Sequence, residues 1–303
     1  MVTTTFTISR SSLTSLTNST TLITGGSSGI GLATVILLHS LPSNNIIILD
    51  IRPPPPPLNT SSRVRYIQTD ITSWASQRAA FKAGYAIFGR IDNVFVNAGI
   101  TEYKDQIFDS ELDDKGELKE PDRRVINLNL NAANDTVKLA VFYMRMNGEK
   151  GGNIVMTASM AGYLASAGAP LYSASKHGIV GLMRAIKSDA LRLNIVVSVV
   201  APGITVTPIL GHTQESKETP EELAKKYHDM GIPLNSADDV ADAVVYLFAQ
   251  GIKSSGKGLM IQAGKFADVE AGAAKGRKVW MGEEMLELFK SGRNTRAFLP
   301  SKL

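Results

Sequence analysis

With 303 residues, 44% of them hydrophobic and 20% charged, the chain is long enough to bury one sizeable core, as a single α/β domain does. The 32 basic and 28 acidic residues leave a net charge of +4, and no basic tract is interleaved with aromatics, so nothing calls for a nucleic-acid partner. The lack of cysteine excludes disulfides and thiolate metal sites, the four histidines show no metal-ligand spacing, and no apolar run approaches the roughly eighteen residues of a membrane span.

Residues 1–19 are rich in Ser and Thr, carry one Arg and no acid, and show no clear amphipathic stripe, which makes them a surface arm rather than a targeting helix. Thr21–Thr24 reads as a short buried strand running directly into Gly25-Gly26-Ser27-Ser28-Gly29-Ile30-Gly31 and then the apolar helical stretch Leu32–Leu38. Strand, glycine loop and helix make a phosphate cradle: glycines let the backbone turn tightly and approach a pyrophosphate, and the helix N-terminus supplies N–H groups and a positive dipole end. The next strand, Ile46–Asp50, ends in an acid nineteen residues after Gly31. A carboxylate there accepts the hydroxyls of an adenosine ribose and repels a 2′-phosphate, so NAD is the expected cofactor. Arg52, just beyond, is the feature that would instead greet the phosphate of NADP.

Pro53–Pro57 reads as a stiff polyproline segment. Further strands are expected at Val64–Gln68, Asn93–Val96, Asn153–Met156, Ile195–Val200 and Gly258–Gln262, alternating with helical stretches, which predicts a single Rossmann-type doubly wound parallel sheet with helices on both faces. Its crossovers should be right-handed, with the ligand at the strand C-termini where the strand order reverses. Between Val96 and Asn153 the charged stretch Asp105–Glu120 reads as a solvated surface loop.

Ser159, Tyr172 and Lys176 carry the chemistry. Tyr172 and Lys176, at i and i+4, share one helix face and set an ammonium beside a phenol. A neighbouring cation favours the ionised phenol and lowers its pKa, which would make Tyr172 a usable proton acceptor. Ser159, arriving from a strand end, could hydrogen-bond the oxygen that gains or loses the proton. Gly25-Gly26-Ser27-Ser28-Gly29 also satisfies the Gly-x-Ser-x-Gly elbow of hydrolases with Ser27 as nucleophile. That reading needs a late histidine, for which only His228 would serve, and an elbow on the first strand leaves no upstream oxyanion loop.

Taken together, these motifs resemble the short-chain dehydrogenase/reductase family over about Thr20 to Gly264: the glycine loop, Asn97-Ala98-Gly99 after an apolar strand, Asn129, Ser159, Tyr172-x-x-x-Lys176 and Pro202-Gly203 occur in the family's order. Within it the chain is similar to fungal NAD-dependent enzymes of the hydroxyprostaglandin dehydrogenase kind. The resemblance implies that Asp70 and Ile71 line the adenine pocket, that Asn97 to Gly99 run along the adenosine half, and that Thr205 and Thr207 hold the nicotinamide carboxamide and a phosphate. It further implies Tyr172 as acid/base, Lys176 as pKa modulator and ribose ligand, Ser159 as the group orienting the substrate oxygen, and Asn129 as holder of a relay water. Taken singly, Asn97 and Asn129 also read as satisfied amides, Asp70 as a strand-end cap and Pro202-Gly203 as a plain turn.

By the same resemblance residues 209–232 form a substrate lid, and a homodimer or homotetramer forms through the helices bearing Asn129 and Tyr172. Met260-Ile261-Gln262-Ala263-Gly264 departs from the family's usual paired glycines. Residues 265–303 form a C-terminal extension whose last residues, Ser301-Lys302-Leu303, match the address read by the peroxisomal import receptor, with the cytoplasm as the alternative location. The expected activity is hydride transfer between NAD and a secondary alcohol or ketone, of acyl-chain or secondary-metabolite type. The alternatives are an NADPH-dependent ketoreductase of a biosynthetic pathway, a cofactor-binding scaffold without turnover, and the Ser27 hydrolase.

Overall fold

A computed structural model describes residues 5–104, 106–164, 166–211 and 218–293. Asp105, His212 and the terminal Ser301-Lys302-Leu303 lie outside the described residues. In chain order the elements are β1 (Thr20–Thr24), α1 (Gly29–Ser40), β2 (Asn45–Asp50), β3 (Val64–Gln68), α2 (Trp74–Phe88), β4 (Asn93–Val96), α3 (Arg124–Ile126) and a π-helical turn, Asn127–Asn131. They continue with α4 (Ala132–Arg145), β5 (Gly152–Thr157), α5 (Pro170–Arg192), β6 (Ile195–Pro202), α6 (Pro220–Asp229), α7 (Ala237–Gln250), β7 (Gly258–Gln262), β8 (Lys265–Asp268), α8 (Val269–Lys275), α9 (Arg277–Met281) and α10 (Glu283–Arg293).

The eight strands form one sheet in the order β3-β2-β1-β4-β5-β6-β7-β8. Strands β1 to β7 pair in parallel, and their near-continuous apolar runs are what a sheet covered on both faces requires. Within β2 the alternation decides the faces. Ile47 and Leu49 join the core beneath α2, α4 and α5, while Ile46 and Ile48 join the core beneath α1 and α7. All four are fully buried, and truncating any of them to Ala would cost about 2–5 kcal/mol. The strand order reverses between β1 and β4, which opens a crevice at their C-terminal ends.

The sheet departs from the all-parallel expectation at its last strand. Ala263 (φ 46°) and Gly264 (φ 67°) both adopt the left-handed conformation, turn the chain back, and β8 pairs antiparallel with β7 through Gln262 and Lys265. Met260–Gly264 is therefore the end of β7 and the hairpin turn into β8. The backbone of Phe6 then exchanges two hydrogen bonds with Phe266, at 2.9 and 3.0 Å, covering the free edge of β8. The N-terminal segment lies against the domain: Leu13 is fully buried, and Arg10 pairs with Asp242 at 2.8 Å and Asp238 at 3.3 Å.

Three connections bear on the site. The proline run ends in a turn at Pro56-Pro57, and the chain enters a short 3-10 turn that buries Leu58 in the core. Residues 106–120 are solvated, as their charge implies, and fold back on themselves through a Leu112–Leu118 bridge. Lys104 ties the two ends by pairing with Asp109 (2.6 Å) and Glu111, and Lys119 also reaches Glu111 at 2.9 Å. Helix α6 forms within the expected lid, started by a capping box in which Thr219 accepts from Glu222 N and Glu222 accepts from Thr219 N.

Candidate active site

The glycine loop meets β4 at the crevice. A Cβ built on Gly25 would lie 2.9 Å from Ala98 Cα, and one on Gly31 would overlap the Gly25 carbonyl oxygen and lie 2.9 Å from Asn97 Nδ2. Only glycine fits that crossing. The N-terminus of α1 carries no side-chain cap from Ser28, so its first-turn N–H groups are presented to a ligand. Gly29 faces Thr207, whose Cβ would be 3.3 Å from an added methyl, which brings the loop after β6 onto the glycine loop.

Asp50 closes the other side of the cradle. Its Oδ2 accepts from Ser27 N at 3.0 Å and its Oδ1 from Arg52 N at 3.1 Å. Ser27 Oγ donates to the Arg52 carbonyl at 2.6 Å, which spends the only proton a nucleophilic serine would surrender to a base. His228, the base that the hydrolase reading needs, is exposed beside Asp229. Ser27 is thus a strut of the loop and not an activated nucleophile.

Asn97 joins the cradle to the second cluster. Its Nδ2 donates to the carbonyls of Thr24 and Gly25, each at 3.2 Å, and its Oδ1 accepts from Thr157 Oγ1 at 3.2 Å. The Thr157 carbonyl in turn accepts from Lys176 Nζ at 2.8 Å. Lys176 is buried and lies 5.6 Å from the centroid of the Tyr172 ring. Ser159 Oγ accepts from Ala161 N at 3.1 Å, donates to the Pro202 carbonyl at 3.4 Å, and lies near enough to the Tyr172 phenol to influence its titration. Asn129 sits in the π-helical turn, accepts from Ile100 N at 2.9 Å, and donates to the Ile100 carbonyl at 2.8 Å and to Ser175 Oγ at 3.3 Å. Gly99 lets the chain pass between them: a Cβ there would be 3.3 Å from Asn129 Oδ1 and 3.7 Å from Lys176 Nζ.

Electrostatics reverse one expectation. Burial raises the Tyr172 phenol above its ordinary value, with the nearby Ser159 hydroxyl acting against it, and burial lowers Lys176 to about 8. Lys176 therefore loses its charge before the phenol titrates, so in the free protein it does not pull Tyr172 down. At neutral pH the pair is an ammonium and a protonated phenol. That is an acid poised to donate, with a cation at hand to stabilise the phenolate that forms.

The remaining sequence candidates make mostly local contacts. Asp70 is exposed and accepts from the Thr72 N–H (2.9 Å) and hydroxyl (2.7 Å), while Ile71 is buried and its carbonyl accepts from Gln77 Nε2 at 2.6 Å. Ile30 follows Gly29 in the first turn of α1. Thr205 and Thr207 donate to the carbonyls of Gly203 and Thr205, at 3.0 and 3.4 Å. Two participants went unread in the sequence: the Thr157 carbonyl, which leaves no side-chain signal, and Glu102, an acid three residues past Gly99 whose Oε2 accepts from Tyr172 N at 2.8 Å.

Comparison with known proteins matches this arrangement to one family. The short chain dehydrogenase model matches residues 19–218. A short-chain dehydrogenase/reductase, prx4, of Penicillium rubens is 34% identical over 91% of this chain and 84% of its own length. The (+)-borneol dehydrogenase 1 of Salvia officinalis is 33% identical over 80% of this chain and 92% of its own. The crystal structure of levodione reductase superposes with a TM-score of 0.69 at 26% identity, over 82% of this chain and 97% of that one. These relatives carry the family and not the narrower likeness to hydroxyprostaglandin dehydrogenase. The chain belongs to the short-chain dehydrogenase/reductase family and is an NAD(P)-dependent oxidoreductase.

Proposed function

We propose that the protein interconverts a secondary alcohol and its ketone with NAD(H), using Tyr172 as the proton-transferring residue. The observation that supports this most is the chain of contacts from the glycine cradle through Asn97 and Thr157 to Lys176, whose ammonium lies over the Tyr172 ring with Ser159 near the phenol. Bound NAD supplies the hydride acceptor at its nicotinamide carbon. In the oxidation, which requires Tyr172 to have first given up its own proton, the alcohol C–H bond breaks with its electron pair, and the hydroxyl proton passes to the Tyr172 phenolate oxygen as the carbonyl forms. In the reduction, the Tyr172 phenol gives its proton to the carbonyl oxygen. Ser159 orients that oxygen, Lys176 stabilises the phenolate, and Asn129, locked to Ile100 and Ser175, holds the relay beside Gly99.

Gly25 to Gly31, with Asn97 to Gly99, Thr205 and Thr207, would hold the dinucleotide, and Asp50 the adenosine ribose, with Asp70 and Ile71 beside the adenine. Helix α6 buries only Leu223 among its own residues, which suits a cover over the substrate. Exposed Phe142 of α4 and Met146 just after it suit a homo-oligomer contact. The (+)-borneol dehydrogenase relative directs the substrate reading to alicyclic secondary alcohols. The experiment is a titration with NAD(H) and NADP(H), then a panel of 2-octanol, cyclohexanol and borneol with their ketones, followed by absorbance of the reduced nicotinamide. No turnover of any of them would count against the reading.

Cofactor choice gives a sharper expectation. A 2′-phosphate would meet the Asp50 carboxylate, so NAD(H) should bind more tightly than NADP(H). Asp50→Ala removes the ribose acceptor and the supports of Ser27 N and Arg52 N. Losing a charge-assisted hydrogen bond costs about 1.5–3 kcal/mol, so NAD affinity should fall roughly tenfold or more and NADP affinity less. Isothermal titration of both proteins with both cofactors checks this. Tighter binding of NADPH by the unmodified protein would assign the site to NADP, with exposed Arg52 as its phosphate ligand.

A further inference from the structure

Helix α5 begins without a local cap. Its N-cap residue is Ala169, which has no side-chain acceptor, and Pro170 opens the first turn. The Tyr172 N–H therefore falls among the orphan donors of the helix start. Glu102, seventy residues away in sequence, satisfies it at 2.8 Å with a carboxylate that is only 8% exposed. A carboxylate is also the group that the positive end of the helix dipole favours.

Glu102 is itself held in place. Two residues before it, the N–H and carbonyl of Ile100 are both bound by the Asn129 side chain, whose Nδ2 also donates to Ser175 Oγ. Ser175 Oγ returns to the Tyr172 carbonyl at 2.7 Å. The strap Gly99–Glu102 thus closes a loop of hydrogen bonds that grips the Tyr172 backbone at both its N–H and its carbonyl.

We propose that Glu102 is a positioning residue for proton transfer: by capping the catalytic helix at Tyr172 N, it sets the phenol against Ser159 without touching substrate. The inference rests on Tyr172 being the acid/base. A displacement of about 1 Å at a reacting group costs as much as a hundredfold in rate, so a capping contact one residue wide has a visible catalytic consequence.

The test compares Glu102→Leu and Glu102→Gln in the full chain, because the glutamine amide oxygen still accepts from Tyr172 N while the charge is gone. Amide hydrogen exchange over residues 170–175, read by mass spectrometry, reports the cap whatever the substrate. kcat and KM, measured with NAD and whichever of 2-octanol, cyclohexanol and borneol is turned over fastest, report its consequence. Glu102→Leu should speed exchange about tenfold and lower kcat about tenfold, with KM for NAD within twofold of the unmodified value, and Glu102→Gln should recover most of both. Unchanged exchange and kcat in Glu102→Leu would overturn the proposal, as would a Glu102→Gln protein as impaired as Glu102→Leu. A Tyr172→Phe protein that kept normal turnover would instead refute the acid/base reading, while the exchange measurement still decided whether Glu102 caps the helix.

Discussion

Replacing Tyr172 with phenylalanine should lower turnover by roughly a hundredfold to ten-thousandfold while leaving NAD(H) binding largely intact. The phenylalanine ring keeps the packing on α5 and the face that Lys176 Nζ approaches at 5.6 Å, but removes the phenol oxygen near Ser159. The dinucleotide cradle is built from β1, α1, β2 and β4, none of which contacts that oxygen through a hydrogen bond, so cofactor titration of the variant should match the unmodified protein. Near-normal turnover in Tyr172→Phe would sink the proton-transfer assignment. Loss of turnover accompanied by loss of NAD binding would place Tyr172 in the cofactor site alone.

The same pair gives a pH dependence with a definite sign. In the direction of ketone reduction the phenol must be protonated and the lysine charged. Tyr172 is raised, so its proton is present throughout the neutral range, and Lys176, lowered to about 8, sets the limit. Reduction should be flat below pH 8 and fall above it, as the cation that stabilises the nascent phenolate is lost. A reduction rate that climbed through pH 8 would contradict that ordering of the two titrations. The profile is read from initial rates at saturating reduced cofactor, which keeps binding out of the slope.

Much of this architecture is legible in the chain because the residues that build it are locally unambiguous. Thr21–Thr24 followed by three spaced glycines allows one reading of the backbone, and each of the seven parallel strands lies where an apolar run announces it. The turn into β8 escaped because its two left-handed positions are occupied by Ala263 and Gly264, where an Asn-Gly pair would have been the usual hairpin signal. The proline run left its end open: composition favours a stiff spacer or loop edge, and the turn that follows at Pro56-Pro57 delivers Leu58 to the core. In the site, side chains at fixed spacing were readable and partners brought by topology were not. Lys176 leans on a backbone carbonyl of β5, and Tyr172 depends on Glu102 from the loop after β4, contacts that no spacing along the chain encodes. The direction of the Tyr172 shift likewise depends on how deeply Tyr172 itself is buried, which the Tyr-x-x-x-Lys motif leaves open.

Gly31→Ala should abolish most of the affinity for NAD(H) while the fold survives, because the added methyl collides only with the cradle. Its Cβ would overlap the Gly25 carbonyl oxygen and crowd Asn97 Nδ2 at 2.9 Å. Neither atom belongs to a flexible side-chain end that could swing aside: the first is backbone, and the second is pinned by the carbonyls of Thr24 and Gly25 while its amide partner oxygen takes Thr157. The loop must therefore shift outward from β1, carrying with it the first turn of α1 and the Ser27 N–H that braces Asp50. Overpacking of this kind costs about 1–3 kcal/mol, and where the displaced atoms are those that approach the pyrophosphate, that corresponds to roughly a tenfold to hundredfold loss of affinity. Alanine is the better helix residue at an ordinary site in α1, so intrinsic propensity alone would make the change neutral or stabilising. Isothermal titration with NADH, alongside thermal unfolding, separates the two: weakened binding with a melting temperature within a few degrees of the unmodified protein is expected. Unchanged NADH affinity in Gly31→Ala would mean that the close crossing of Gly31 over Gly25 is not what shapes the phosphate site.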